Sequence, residues 1–129
     1  MEFNMDIKTR DEIIFGSYEP EEYSGGARRY EHLSLKEVKK LIDLKFMDPD
    51  EAINNCPPVR EFVAFMERFD GYTVSGYTII DTRGDYRVDI DAISKEGEIS
   101  KEEENELYKL SIDADEQNIG EGSVWCWWD

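Results

Sequence analysis

The chain has 129 residues, of which 31 are acidic and 15 basic, giving a formal net charge of −16. That length fits one domain, 1–129, with its own core, because a compact chain of this size buries about two-thirds of the surface its unfolded form exposes. Such a charge repels phosphate backbones and anionic membranes and attracts basic partners, so direct nucleic-acid binding is the first function class to set aside.

Hydrophobic residues make up 40% and aromatic residues 12% of the chain, enough material for a core and too much for wholesale disorder. The two cysteines, Cys56 and Cys126, form no CxxC pair and no disulfide framework. Met1-Glu2-Phe3-Asn4 lacks the basic and apolar regions of a signal peptide, and the apolar runs are too short to span a membrane. The expectation is a soluble, cytoplasmic domain.

Ile7 and Ile13-Ile14-Phe15 predict one or two short strands within residues 3–18. Glu19 to Gly26, with Pro20 and the Gly25-Gly26 pair, reads as an exposed loop. Ser34 and Glu37 form a capping box that opens a helix, with Leu35, Val38, Leu41 and Ile42 at helical spacing. Pro57-Pro58 opens the next helix, whose apolar face is Val59, Phe62, Val63, Phe65, Met66 and Phe69, and Gly71 stops it.

Tyr72 to Ile80 is β-branched and aromatic, and Gly76 in its middle suggests a bulge. The turn Asp81 to Asp85 leads into Tyr86, Val88 and Ile90, which alternate with Arg87, Asp89 and Asp91. The pattern predicts a hairpin with Gly84 at positive φ, apolar residues inward and charged residues outward. Ser100 and Glu103 form a second capping box, for a helix ending about Leu110. Ile112 to Gly122 reads as irregular, and Ser123 to Trp128 as a final strand. The sum is an α+β fold: a small, mainly antiparallel sheet with two or three helices packed on one face.

No catalytic or cofactor motif stands out. Residues 92–103 imitate a calcium loop, with Gly97, Ile99 and Glu103 at its sixth, eighth and twelfth positions. Ala92, however, stands where the ion needs its first carboxylate, so a strand, a glycine turn and a capped helix explain the segment better. His32 is the only histidine, which excludes a His-rich metal site, and nothing in the sequence places either cysteine beside it. No metal and no cofactor are expected.

Three surfaces remain. Arg28, Arg29 and His32 follow Gly25-Gly26 and form the one basic cluster, suited to an anion through the arginine forks or to neutralising acids of the same chain. Trp125, Trp127 and Trp128 lie among the last five residues. In a strand, Trp125 and Trp127 share one face and Cys126 and Trp128 the other, so they serve as core or as an interface anchor. Asp85, Asp89, Asp91, Glu98, Glu102, Glu103 and Glu106 form a candidate acidic face for a basic protein. The resulting expectation is a non-enzymatic binding protein, of the inhibitor, immunity-protein or nucleic-acid-mimic kind. The alternative is a small-molecule-binding or hydrolytic domain built on Arg28, Arg29, His32 and nearby carboxylates.

Overall fold

The computed structural model describes residues 1–129. Its elements are helices α1 (Ile7–Phe15), α2 (Leu35–Asp43), α3 (Val59–Arg68) and α4 (Lys101–Leu110), and strands β1 (Ala27–Leu33), β2 (Thr73–Ile79), β3 (Ala92–Glu96), β4 (Glu116–Gly120) and β5 (Ser123–Trp127). The strands lie in the order β1-β2-β3-β5-β4, and every neighbouring pair is antiparallel. The architecture is α+β, as expected, with one helix more than the sequence suggested.

The two capping boxes are both formed. Ser34 accepts from the Glu37 amide and Ser100 from the Glu103 amide, while each glutamate reaches back to the cap residue's own N–H. Helix α3 starts after Pro58 and turns Phe62, Phe65 and Met66 inward. Those side chains meet Val38 and Leu41 of α2, Leu107 of α4, and the sheet residues Val74, Ile93, Val124, Cys126 and Trp128 in one continuous core. Trp128 stands edge-on to Phe62, with ring centroids 5.4 Å apart.

Residues 7–15 form a helix rather than strands. Asp6 caps it by accepting from the Thr9 amide, and Gly16 ends it at φ 80°. Its pattern escapes an amphipathic reading because its fully buried positions are charged: Arg10 and Asp11 are both 0% exposed. Arg10 donates to Asp11 at 3.0 Å, to the Ile79 carbonyl at 2.7 Å and to the Tyr23 hydroxyl at 2.7 Å, and so fastens α1 to the end of β2. Paired and fully bonded, the two charges are tolerable inside where a lone one would not be.

Two strands form where the sequence predicts none. Residues 27–33 pair with β2 from Ala27↔Ile79 to Leu33↔Val74, with an irregularity between Tyr30 and Leu33. Residues 116–120 pair with β5. Both are outer strands of the sheet, rich in polar side chains, so neither shows the apolar alternation of a strand packed on a core.

The reversal at Asp81–Asp85 connects two antiparallel segments, but the second departs from the expected hairpin. Residues 87–91 bond to β2 through Ile79 N to Arg87 O, Asp89 N to Tyr77 O and Asp91 N to Ser75 O. From Ala92 onward the pairing is Ser75↔Ala92, so the register moves by one residue and the chain bulges at Asp89–Asp91. Gly76 sits opposite, where an added Cβ would lie 2.1 Å from the Asp89 carbonyl oxygen. Asp89 and Asp91 lie opposite the core residues Val88 and Ile90, as the alternation predicts, but they are not exposed as expected: paired with Arg87 and Arg29, they are buried, at 1% and 5% exposure. Gly84 is not at positive φ, because successive turns from Asp81 to Asp85 spread the bend.

Candidate functional site

The helices cover one face of the sheet. The other carries Tyr77, Trp125 and Trp127 and no helix, because β2 and β5 alternate their side chains: Val74, Val124 and Cys126 go inward, and these aromatics go outward. A cleft of about 510 Å³ opens on this side, between β5, the bulged segment 87–91, the start of β1 and the loop residues Ile53 and Asn54.

An ionic lattice forms one wall. Arg29 grips Asp91 with two bonds, Nη1 to Oδ2 at 2.8 Å and Nη2 to Oδ1 at 3.1 Å, and lies 5.2 Å from the Tyr77 ring centre. The Asp91 partnership holds the Arg29 guanidinium above its ordinary pKa. Arg87 bonds Asp89 through Nε at 3.0 Å and Asp85 through Nη1 at 3.0 Å. Burial pushes the Asp89 carboxyl up, and the Tyr77 amide, donating at 2.8 Å, and Arg87 offset only part of that push. The Asp89 carbonyl meanwhile accepts from the buried Tyr30 hydroxyl.

The indoles of Trp125 and Trp127 form the second wall, each half-buried. Trp125 is oriented by its Nε1–H, which donates to Glu116 at 3.0 Å across the β4–β5 pair. Trp128 also lines the cleft, although it is 1% exposed, and its Nε1–H is buried without a hydrogen-bond partner. Four carboxylates, from Glu31, Asp89, Asp91 and Asp129, face two guanidiniums.

The structure divides the residues singled out from the sequence. Arg28, Arg29 and His32 lie in β1, not in a flexible loop, and they do not converge. Arg28 packs over the Phe15 ring at 3.7 Å, and Arg29 belongs to the cleft. His32, at φ 57° in the β1 irregularity, is exposed and reaches the Thr73 hydroxyl at 3.2 Å.

The acidic series does not form one array either. Asp85 lies at the reversal before β3 and is held by Arg83 and Arg87, whereas Glu98 lies exposed beyond the far end of that strand. On α4, Glu102 pairs with Arg68, Glu103 bonds Lys95 at 3.1 Å and Tyr72 at 2.9 Å, and Glu106 meets Lys109 at 3.4 Å.

Neither thiol lines the cleft. Cys56 and Cys126 are buried, and burial, reinforced by nearby carboxylates, pushes Cys56 up to about 12, so it is a thiol at neutral pH. Tyr77, Arg87 and Glu31 were not foreseen as cleft residues. Arg87 stands two residues from Asp89 along one extended segment, a spacing that does put both on one side of a strand. Comparisons with protein-family models, with curated proteins and with solved structures found no match for this chain.

Proposed function

We propose that this chain is a non-enzymatic acidic binding protein that docks on a basic protein, as an inhibitor or immunity-type protein does. The observation that carries the reading is the helix-free sheet face. There, two half-exposed indoles, Trp125 and Trp127, stand beside an excess of carboxylates in a molecule of net charge −16. Tryptophan is enriched among residues that dominate binding energy, and long-range charge speeds encounter with a partner of opposite sign. A nucleic-acid mimic with evenly spaced strand carboxylates is a poorer description, since Asp89 and Asp91 are buried in ion pairs.

One observation favours the second reading, a small-molecule site: the cleft joins Arg29 to carboxylates. Against it, each guanidinium there is already committed to a carboxylate of the chain, and Arg28 and His32 lie elsewhere.

The experiment is to capture a basic partner from native lysate at low salt, purify the pair and follow association by stopped-flow fluorescence. The on-rate should fall steeply with added salt, because exposed charges are screened beyond about 10 Å at 0.1 M. Trp127→Ala should raise the off-rate. Binding indifferent to both salt and Trp127→Ala sinks the proposal.

A further inference from the structure

Resting on the docking reading above, we propose that the cleft is the receptor for one arginine side chain projecting from a surface segment of the basic partner. Four features of the cleft select that group. Its charged lining is acidic in balance, with Glu31, Asp89, Asp91 and Asp129 against Arg29 and Arg87. Both of those cations are occupied by Asp91 and Asp89, so neither is free to attract an anion. The indole faces of Trp125 and Trp127 suit a flat, weakly hydrated cation, which stacks on aromatic rings better than a compact ammonium does. The chain's own Arg29 shows the mode, lying over the Tyr77 ring at 5.2 Å while forking onto Asp91.

The fourth feature concerns the backbone that brings the arginine. Trp128 lines the same cleft with a buried Nε1–H that has no acceptor in the folded chain. A buried donor left unpaired is costly, so a turn of the Trp128 indole that exposed this N–H to a main-chain carbonyl of the arriving segment would give it a partner. At about 510 Å³ the cleft holds one long side chain with a little of its backbone, not a folded element.

The test uses the intact protein and a capped Gly-Arg-Gly tripeptide as probe, read by the three indole N–H resonances in a ¹H–¹⁵N spectrum. The Trp125 and Trp127 signals should shift saturably. The citrulline tripeptide, equal in shape but uncharged, should bind at least about tenfold more weakly, and the lysine tripeptide should fall between them. Glu31→Gln, on a side chain 62% exposed whose one ion pair is a 3.6 Å contact with Arg29, should weaken the arginine probe about twofold to fivefold. Trp127→Leu should abolish the shifts, and Trp127→Phe should restore them in part.

Hexa-arginine separates the two levels of the argument. If it binds without moving the indole signals and without sensitivity to Trp127→Leu, the arginine cleft is overturned while the basic-partner reading stands. If neither peptide binds at low salt, both are overturned. A citrulline probe as tight as the arginine probe also refutes the cleft, since charge would then play no part.

Discussion

Gly76 and Asp89 show how one contact fixes the shape of the site. The bulge that turns Asp89 and Asp91 toward the arginines brings the Asp89 carbonyl against Gly76, where a Cβ would stand 2.1 Å away. That carbonyl is backbone and is already engaged by Tyr30, so it cannot step aside cheaply. Gly76→Ala should therefore cost about 2–3 kcal/mol of stability, measured by urea unfolding, and loosen the Arg29–Asp91 pair with it.

Glu103 makes a second case at this scale. Burial pushes its carboxyl up, but bonds from Lys95, Tyr72 and the Ser100 amide together hold it below its usual value. The unfolded chain thus takes the proton first as pH falls. The stability this group contributes is complete above about pH 4.3, the ordinary glutamate value, and drains away as pH falls from there through the lower folded value. Glu103→Gln should cost about 1 kcal/mol at pH 7, and the gap to the parent should close in acid, as chemical denaturation along a pH series would show. Asp89 works in the opposite sense: its folded pKa is raised, so its protonation favours the fold as pH falls from that value toward the ordinary aspartate value.

Among the elements, those with local punctuation were legible and those defined by strand pairing at the sheet's edges were not. Ser34/Glu37, Ser100/Glu103 and the Pro57-Pro58 step each announce a helix within four or five residues, and all three helices are present. Helix α1 was misread because Arg10 and Asp11 occupy its buried positions, and no hydrophobic period records a buried ion pair. Strands β1 and β4 carry little strand signal because an outer strand needs only one neighbour, and theirs lie far along the chain or across a tight turn. The cleft inherits these misreadings. Trp125 and Trp127 were placed on a common face from the alternation of β5, but Arg29 and Tyr77 meet only through β1–β2 pairing, which connects positions 48 residues apart. Strand β5 is the hinge of the sheet, since it alone joins β4 to the rest. Deleting residues 124–129 removes the buried Trp128 and Cys126 and strands β4. Loss of one large buried aromatic costs about 3–5 kcal/mol, so the truncated chain should show no cooperative thermal transition. A truncated chain with an unchanged midpoint would instead mark the tail as dispensable to the fold.

For the whole molecule, 31 acidic side chains on one small domain act against compactness through mutual repulsion. The ion pairs scattered over the surface are mostly exposed and individually weak, whereas the repulsion is summed over every carboxylate. Screening should then relieve more repulsion than attraction. The thermal midpoint at pH 7 should rise between low ionic strength and about 0.2 M sodium chloride, with most of the rise complete once the screening length falls below about 10 Å. A falling midpoint would mean that the surface pairs outweigh the repulsion.

The outer position of β4 has a consequence for the chain in crowded or acidified solution. One side of this strand has no neighbour in the sheet, leaving a row of main-chain donors and acceptors that another copy could template against. What guards it is negative charge: Glu116 on the strand, Asp113 and Asp115 before it and Glu121 after it. That guard is removable. Near the isoelectric point of about 4.3 the carboxylates lose much of their charge and copies cease to repel one another. Concentrated protein taken slowly to that pH should then give rising light scattering and a thioflavin-positive species built from β4 edges. A lysine at the exposed Asn118, introduced as Asn118→Lys, should delay both while leaving the fold intact.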